Sequence, residues 1–284
     1  MNMKKLLLAT SVLVIAGSAQ AADLAARPYT KAPIAPVPFT WTGCYIGGHV
    51  GAGWSRTDFT DPAISTIAPG IPITTTGLVA GDRIRVDGNA GVVGGAQAGC
   101  DYQVASNWVF GIAGDITATD LRGLANDPFF AGKTGDPATL SARTDWVASV
   151  TGRVGYAWDR FLVYGKGGAG FAHDRYSLNN FTAIGGQNCA GTLFLGFGPC
   201  NANTGTDRIG WVAGAGIEWA FAPNWSAFAE YDHYGFGSKR VGFQNPGFAG
   251  IIPATALIDI SQNIDIVKVG INLRFGGAPV AARY

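Results

Sequence analysis

The sequence predicts an all-β fold, namely an eight-stranded antiparallel up-and-down transmembrane β-barrel. Hydrophobic residues make up 48% of the 284 residues and charged residues only 14%. Beyond residue 21, however, no apolar run approaches the roughly 20 residues that a membrane helix needs. Glycine, with 42 residues, is about twice as frequent as usual and disfavours long helices. Many segments also alternate apolar and polar residues at period two, as strands between unlike environments do.

The last predicted strand, residues 266–275, shows this alternation most clearly. One face is wholly apolar, and the other carries two cations and an amide: Val267, Val269, Ile271, Leu273 and Phe275 against Ile266, Lys268, Gly270, Asn272 and Arg274. On its own this strand fits equally well in a soluble sandwich with its apolar side inward. The rest of the chain decides between the two folds.

The N-terminal segment is expected to be a cleaved signal peptide, residues 1–21. Lys4 and Lys5 precede a short apolar run, and Ala19-Gln20-Ala21 has the small residues of a cleavage site. Removing this segment leaves 18 basic and 19 acidic side chains, so no nucleic-acid partner is expected. Residues 22–40 are rich in proline and are expected to form an extended periplasmic lead-in.

Eight strands are predicted in order, at about residues 41–55, 89–102, 108–117, 143–158, 161–172, 208–221, 225–234 and 266–275. They place the barrel at 41–275, with a short tail at 276–284. The connections alternate between long and short. This rhythm is typical of a membrane barrel with long extracellular loops and short periplasmic turns. An even strand number also puts both chain ends on one side.

All eight tryptophans are expected near a membrane interface. Three lie at predicted outer strand ends and five at inner ends: Trp54, Trp146 and Trp211, then Trp41, Trp108, Trp158, Trp219 and Trp225. Indole rings favour the headgroup zone because an apolar body carries one polar N–H. A soluble core would place its aromatic rings centrally, so this distribution favours the membrane barrel.

In a membrane barrel, the polar residues that alternate with apolar ones along each strand must face the lumen. Eight charged residues are predicted there: Asp115, Arg153, Lys166, Glu218, Glu230, Asp232, Lys268 and Arg274. An eight-stranded barrel is just wide enough for its own side chains to fill, and buried charges need partners. We therefore expect a salt-bridged, plugged lumen; a proton or ion path is the open alternative.

Four cysteines in an exported chain allow three pairings. Cys44 and Cys100 are expected on the same face of neighbouring strands at the periplasmic end, while Cys189 and Cys200 share one extracellular loop. The pairings 44–100 and 189–200 are favoured. The absence of a Cys-x-x-Cys motif argues against a cysteine metal site.

The sequence offers little for catalysis. It contains neither HExxH nor Gly-x-Ser-x-Gly. His173 with Ser177, or His233, falls near the expected outer rim, but no third catalytic group is identifiable. The glycines at 165, 167 and 168 lie within a strand, unlike a nucleotide-binding loop. We expect no enzyme activity, cofactor or metal.

Several segments resemble a known family. They are Trp41-Thr42-Gly43-Cys44-Tyr45-Ile46-Gly47-Gly48, Val154-Gly155-Tyr156-Ala157, Leu162-Val163-Tyr164-Gly165-Lys166-Gly167-Gly168 and the last strand. They are similar to the small outer-membrane surface-antigen, porin-like proteins of alphaproteobacteria. The resemblance implies an OmpA-like eight-stranded barrel and roles in envelope integrity and host or environment contact; some members are described as porin-like or as binding haem. It transfers no functional residue.

The expected function is structural and surface-interactive, through the extracellular loops. A narrow porin-like channel for small solutes is the rival, and a lipid-modifying enzyme comes third. The expected partners of this monomer are outer-membrane lipid, surface ligands and the barrel-assembly machinery. For the last of these, Lys268, Gly270, Leu273 and Phe275 resemble the assembly signal of a terminal strand, although residues 276–284 follow it here.

Overall fold

The structure, a computed structural model, describes residues 39–60, 65–67, 71–73, 83–104, 107–131, 137–181, 200–248 and 252–276. All of them belong to the unit Val37–Tyr284. The expected signal peptide, most of the lead-in, the tail after residue 276 and Cys189 lie outside these residues. In the described ranges, no helix has the length and apolar character needed to span a bilayer.

Eleven strands occur in the described part of the chain. They are β1 (Gly43–Thr60), β2 (Ser65–Ile67), β3 (Ile71–Ile73), β4 (Arg83–Asp87), β5 (Gly91–Gln103), β6 (Trp108–Ala131), β7 (Pro137–Trp158), β8 (Phe161–Phe181), β9 (Cys200–Ala222), β10 (Trp225–Phe248) and β11 (Ile252–Phe275).

Eight of these strands form a closed ring, which confirms the predicted fold class. Strands β1, β5, β6, β7, β8, β9, β10 and β11 pair antiparallel in sequence order, and β11 pairs back to β1. Strands β4 and β5 both pair with β1, one after the other along its length. The pairing register shifts by one residue between them, since Asp87 faces Arg56 and Gly91 faces Gly53. Strand β2 pairs antiparallel with the outer part of β11 and, on its other side, with β3.

One end of the ring carries short turns. Asp159 and Arg160 connect β7 to β8, and Pro223 and Asn224 connect β9 to β10. Asp159 adopts a positive φ of 51°, a conformation that Asp tolerates better than most residues. Short turns mark the periplasmic end of such barrels, as the sequence predicts.

The strands are much longer than predicted at the other end. Strand β6 continues to Ala131 instead of ending near 117, and β11 begins at Ile252 instead of 266. The predicted long segments are therefore largely strand. The 24 residues of β6 extend about 80 Å along the strand at roughly 3.3 Å per residue. At the strand tilt of about 35–45° in such barrels this is about 60 Å of height, whereas the apolar band is about 25 Å tall. The barrel wall thus extends well beyond the membrane.

The prediction missed these extensions because the alternation reverses along each strand. In the membrane part of β8, Val163 is exposed outward and Lys166 is buried inside. Farther along the same strand, Arg175 is exposed while Tyr176 and Leu178 are buried. Outside the membrane the wall meets water on its outer face, so its apolar residues turn inward. They form one buried cluster: Phe59, Val86, Leu140, Ala142, Tyr176, Leu178, Ala202, Val241, Phe243 and Ile260.

The outer face of the membrane part is apolar. Its exposed residues include Ile46, Val50, Val92, Ile112, Ile116, Val150, Val154, Val163, Ile217, Val267, Val269 and Ile271. Six tryptophans of the expected rims are exposed on this wall: Trp54, Trp108, Trp158, Trp211, Trp219 and Trp225. Trp41 is fully buried, so its predicted place in the inner aromatic rim is wrong.

Candidate functional site

Side chains project into the barrel interior in layers along its axis. Beginning at the short-turn end, we name the charged layers the arginine cluster and the lysine cluster. The arginine cluster contains Arg153, Arg274, Asp101 and Glu218; the lysine cluster contains Lys166, Lys268, Asp115, Glu230 and Asp232.

Trp41 is buried inside the barrel at the short-turn end. Its indole N–H donates to the backbone oxygen of Asp159 at 3.0 Å, and its backbone N–H donates to Gln103 Oε1 at 2.9 Å. The Arg274 guanidinium lies 4.8 Å from the indole centroid and donates to the Trp41 carbonyl at 2.7 Å. These partners and an apolar wall hold Trp41 inside the barrel rather than at the lipid interface: Phe39, Val109, Ala157, Leu162, Tyr164 and Ala220.

The arginine cluster alternates two cations with two anions. Arg153 bonds Asp101 through two guanidinium nitrogens and reaches Glu218 at 3.3 Å. Arg274 reaches the same two carboxylates, Asp101 at 2.7 Å and Glu218 at 3.0 Å. All four side chains are buried. Each charge therefore has two opposite partners, which a buried ion pair needs to offset its desolvation.

Neutral side chains complete this cluster. The Arg153 guanidinium lies between Tyr45 and Tyr164, at 4.7 and 4.9 Å from the two ring centroids. Ser226 and Asn272 donate to Glu218 at 2.6 and 3.0 Å. Such fully satisfied networks rigidify a core.

The lysine cluster lies farther along the strands and holds three carboxylates against two ammonium groups. Lys166 Nζ is 2.7 Å from Glu230 and 3.0 Å from Asp232. Lys268 Nζ is 3.0 Å from Glu230 and 2.8 Å from Asp232. Asp115 is more distant, at 3.7 and 3.6 Å from the two lysines. With all groups ionised this cluster carries one net negative charge.

Hydroxyl groups connect the lysine cluster to its surroundings. Tyr164 donates to Glu230 at 2.7 Å and so joins the two charged clusters. Thr117 donates to Asp115 at 3.4 Å and lies 2.9 Å from His49 Nε2. The interior is therefore one continuous polar network across the middle of the barrel.

Beyond the lysine cluster comes an apolar layer and then a third polar group around Asp174. The layer contains Val93, Leu121, Val147, Ala172, Val212, Tyr234, Phe236, Ile264 and Ile266. Asp174 accepts from Thr144 at 2.6 Å, Tyr176 at 3.1 Å and Gln262 at 3.2 Å, and Arg208 lies 3.3 Å away. The buried apolar cluster of the strand extensions, which includes Phe59 and Tyr176, lies beyond this polar group.

The structure brings all eight predicted lumen residues into the two clusters. The predicted lumen set left out three buried charged residues, Asp101, Asp174 and Arg208. Asp101 and Arg208 occupy inward-facing positions of their strands, and the period-two alternation of the sequence is the signal that identifies them. Asp174 lies just past the predicted end of its strand, where the apolar outer face stops.

Cys44 and Cys100 form a disulfide. They face each other directly on β1 and β5, with Cα atoms 3.9 Å apart, so the predicted pairing is present. The predicted pairing of Cys189 with Cys200 involves a residue outside the described ranges.

The histidines considered for catalysis lie on the outer wall. His173 Nδ1 is 2.7 Å from Asp207, and His233 Nδ1 is 2.6 Å from Asp265. The strand register places Ser177 opposite Ser141 rather than beside His173.

The residues of the expected assembly signal divide between the two faces of β11. Lys268 is buried in the lysine cluster, whereas Phe275 is exposed on the outer wall and Leu273 shares its face. Gly270 leaves space for the Phe228 ring, since a Cβ atom at this position would lie 2.6 Å from that ring. Two of the four positions, Lys268 and Gly270, thus have roles inside the barrel itself.

A closed antiparallel ring with an apolar outer band, aromatic rims and a charged interior defines an integral outer-membrane β-barrel. The chain belongs to the outer membrane protein beta-barrel domain family, which matches residues 7–275. The protein is therefore located in the outer membrane of the cell.

Two Brucella relatives agree with this assignment. A 31 kDa outer-membrane immunogenic protein of Brucella melitensis is 28% identical over 282 residues, covering 96% of this chain and 100% of that protein. A 25 kDa outer-membrane immunogenic protein of Brucella abortus is 25% identical over 247 residues, covering 84% of this chain and 87% of that protein. The crystal structure of the Pseudomonas aeruginosa outer membrane protein OprG overlaps 84% of this chain and 99% of its own, with a TM-score of 0.43 and 10% identity.

Proposed function

We propose that this protein is a closed barrel with a structural role in the envelope, which presents its extracellular wall and loops to surface ligands. One observation supports the closed-lumen proposal: buried ion pairs and apolar clusters follow one another along the interior from Trp41 to the strand extensions. An ion crossing the lumen has to separate buried pairs, and breaking one such pair costs about 3–5 kcal/mol.

Planar-bilayer recording of the refolded chain tests the closed lumen. We expect no steady single-channel openings from the native protein. The double variant Arg153→Ala/Glu218→Ala removes one cation and one anion from the arginine cluster only; because the lysine cluster and the apolar layers remain, it is expected to stay closed as well. Val154→Ala, on the lipid-facing wall beside Arg153, is the matched control. Steady openings of the native chain would instead support the rival function, a narrow porin-like channel.

The surface role is supported by the strand extensions and by the Brucella relatives, which are named outer-membrane immunogenic proteins. We expect a Lys239→Cys variant, exposed on the extension of β10, to react with a membrane-impermeant maleimide on intact cells. Val269→Cys, on the lipid-facing wall, is the control and is expected to stay unlabelled. Labelling of Lys239→Cys only after the cells are permeabilised contradicts the surface role.

We propose a monomer whose terminal strand β11 is recognised by the barrel-assembly machinery, and a barrel without enzyme activity. Lipid mass spectrometry of cells with and without the protein tests the last point, since a lipid-modifying enzyme changes the lipid profile.

A further inference from the structure

Three arginines form a row across the outer wall. Arg122 on β6 faces Arg143 on β7, and Arg143 faces Arg175 on β8. The three side chains are exposed to 62%, 45% and 63%. Adjacent strands are about 4.8 Å apart, so the row spans roughly 10 Å.

The row lies just beyond the outer aromatic rim. Trp146 and His173 face each other on β7 and β8, with stacked rings whose centroids are 6.3 Å apart. Arg175 is two residues beyond His173 on the same outward face. Because rim aromatics lie at headgroup level, the arginine row lies where lipid headgroups meet water.

The row carries more positive charge than its own carboxylates offset. Asp145 lies 3.0 Å from Arg143 and 2.9 Å from Arg175, and Asp120 lies 2.7 Å from Arg122. Three cations thus share two anions. Like charges directly opposite across strands are destabilising, and exposed ion pairs offset little.

Other arginines of the outer wall show the contrast. Arg56, Arg85 and Arg240 are each paired with an aspartate of their own. In the row, by contrast, the single carboxylate of Asp145 is shared by two guanidinium groups, each of which reaches it through Nε. Guanidinium groups offer planar, forked donors that match phosphate oxygens.

We propose that Arg122, Arg143 and Arg175 bind the phosphate group of a lipid headgroup in the outer leaflet. Asp145 holds two of the guanidinium groups side by side, and the lipid phosphate supplies the missing negative charge. Trp146 packs beneath the headgroup, at the depth where its acyl chains begin. This site is additional to the proposed structural role, and its test does not depend on whether the lumen conducts.

The test uses the full refolded chain in neutral detergent micelles. The probe is dansyl-labelled lipid A with its phosphates, compared with the same lipid after phosphate removal, and binding is followed by tryptophan-to-dansyl energy transfer. We expect the phosphorylated lipid to bind more tightly. In the triple variant Arg122→Gln/Arg143→Gln/Arg175→Gln its affinity is expected to fall by roughly tenfold or more, because several charge-assisted bonds are lost together. A triple Arg→Lys variant is expected to recover part of that loss as point charges return.

Arg240→Gln is the matched control. Arg240 is an exposed arginine held by Asp259 through two bonds of 2.8 and 2.9 Å, and this hydrogen bonding lowers the pKa of Asp259 below its ordinary value. We expect Arg240→Gln to bind the lipid as the native chain does. Heat-modifiable gel mobility checks that every variant is folded.

Three results overturn the proposal. They are equal affinity of the native chain for the two lipids, native affinity in the folded triple variant, and an equal loss in Arg240→Gln. Inorganic phosphate added at the concentration of the lipid is expected to leave binding unchanged; full displacement at that concentration identifies a free-anion site and contradicts the lipid assignment. Should the triple variant not fold, Arg175→Gln alone and a salt titration of the native chain decide, because screening weakens exposed contacts.

Discussion

Glu218 links more of the interior than any single predicted pair suggests. Its two oxygens accept from Ser226, Asn272 and Arg274 on one side and from Arg153 on the other. The carboxylate is buried, so every one of these bonds replaces water that it has lost. The arginine cluster is therefore stable only as a complete set.

Glu218→Gln is expected to destabilise the barrel by about 3–5 kcal/mol, because Asp101 is then the one carboxylate left to face two buried arginines in this cluster. Urea unfolding in lipid vesicles, followed by tryptophan fluorescence, measures the change. Ser226→Ala removes one neutral donor from the same carboxylate and is expected to cost about 1 kcal/mol. Equal losses for the two variants contradict the charge argument.

Trp41→Ala is expected to cost about 3–5 kcal/mol, as a fully buried aromatic side chain leaves a cavity in the barrel mouth. Trp225 lies near the same end on the lipid-facing wall, and Trp225→Ala is expected to cost less. The same unfolding assay compares them. A smaller loss for Trp41→Ala than for Trp225→Ala would place the indole outside the mouth.

At the residue scale, the period-two alternation identified the face on which a charged residue lies, but not the residues with which it forms ion pairs. Asp101 has the inward parity of Gln97 on the same strand, yet only the three-dimensional ring brings it to Arg153 and Arg274. Trp41 was misplaced because the sequence shows an aromatic residue at a strand end and not which way the preceding chain turns. The partners of Asp101 and the burial of Trp41 both depend on how the barrel curves, which the local sequence pattern does not encode.

At the scale of elements, the seam between β1 and β11 depends on a close approach of the two backbones. Gly51 faces Lys268 across this seam. A Cβ atom at Gly51 would contact the Val267 carbonyl oxygen and lie 2.8 Å from Lys268 Cα. On the outer wall, by contrast, a Cβ atom at Gly152 meets nothing within 4 Å.

Gly51→Ala is thus expected to destabilise the barrel by about 1–3 kcal/mol through overpacking against backbone atoms, whereas Gly152→Ala is expected to change stability little. Unfolding midpoints in vesicles measure both. If Gly152→Ala is as damaging as Gly51→Ala, loss of glycine flexibility rather than the close approach explains the result.

Strand existence was predictable, but outer strand ends were not. Each predicted strand matches a ring strand, because lipid on one face and charge on the other give a clear period of two. The extensions keep that period with opposite polarity, as Arg175 and Tyr176 illustrate. An apolar face that points outward ends where the polarity of the two faces reverses, although the strand itself continues.

At the scale of the whole molecule, the disulfide ties the first two ring strands at the short-turn end. Cys44 and Cys100 are 56 residues apart in sequence. Under the chain-entropy account, a loop of this length corresponds to about 4 kcal/mol of stabilisation relative to the open chain. The disulfide joins residues of β1 and β5 alone.

Cys44→Ser/Cys100→Ser is expected to lower the unfolding free energy by roughly 4 kcal/mol. The measurement is urea unfolding without reductant. Ala98→Ser, at an exposed position on the same wall of β5, controls for a hydroxyl facing lipid. A loss no larger than that of Ala98→Ser indicates that the disulfide does not constrain the unfolded chain.

The reversal of polarity along the strands has a consequence for the depth of the barrel in its bilayer. Shifting the protein outward or inward by two residues moves it about 7 Å along the strand direction. The inward shift brings Arg175 and its neighbours into hydrocarbon, at roughly 2–4 kcal/mol for an arginine near the midplane and less toward the edge. The outward shift exposes valine and isoleucine to water. The barrel thus has one preferred immersion, and a bilayer of different thickness has to deform around it.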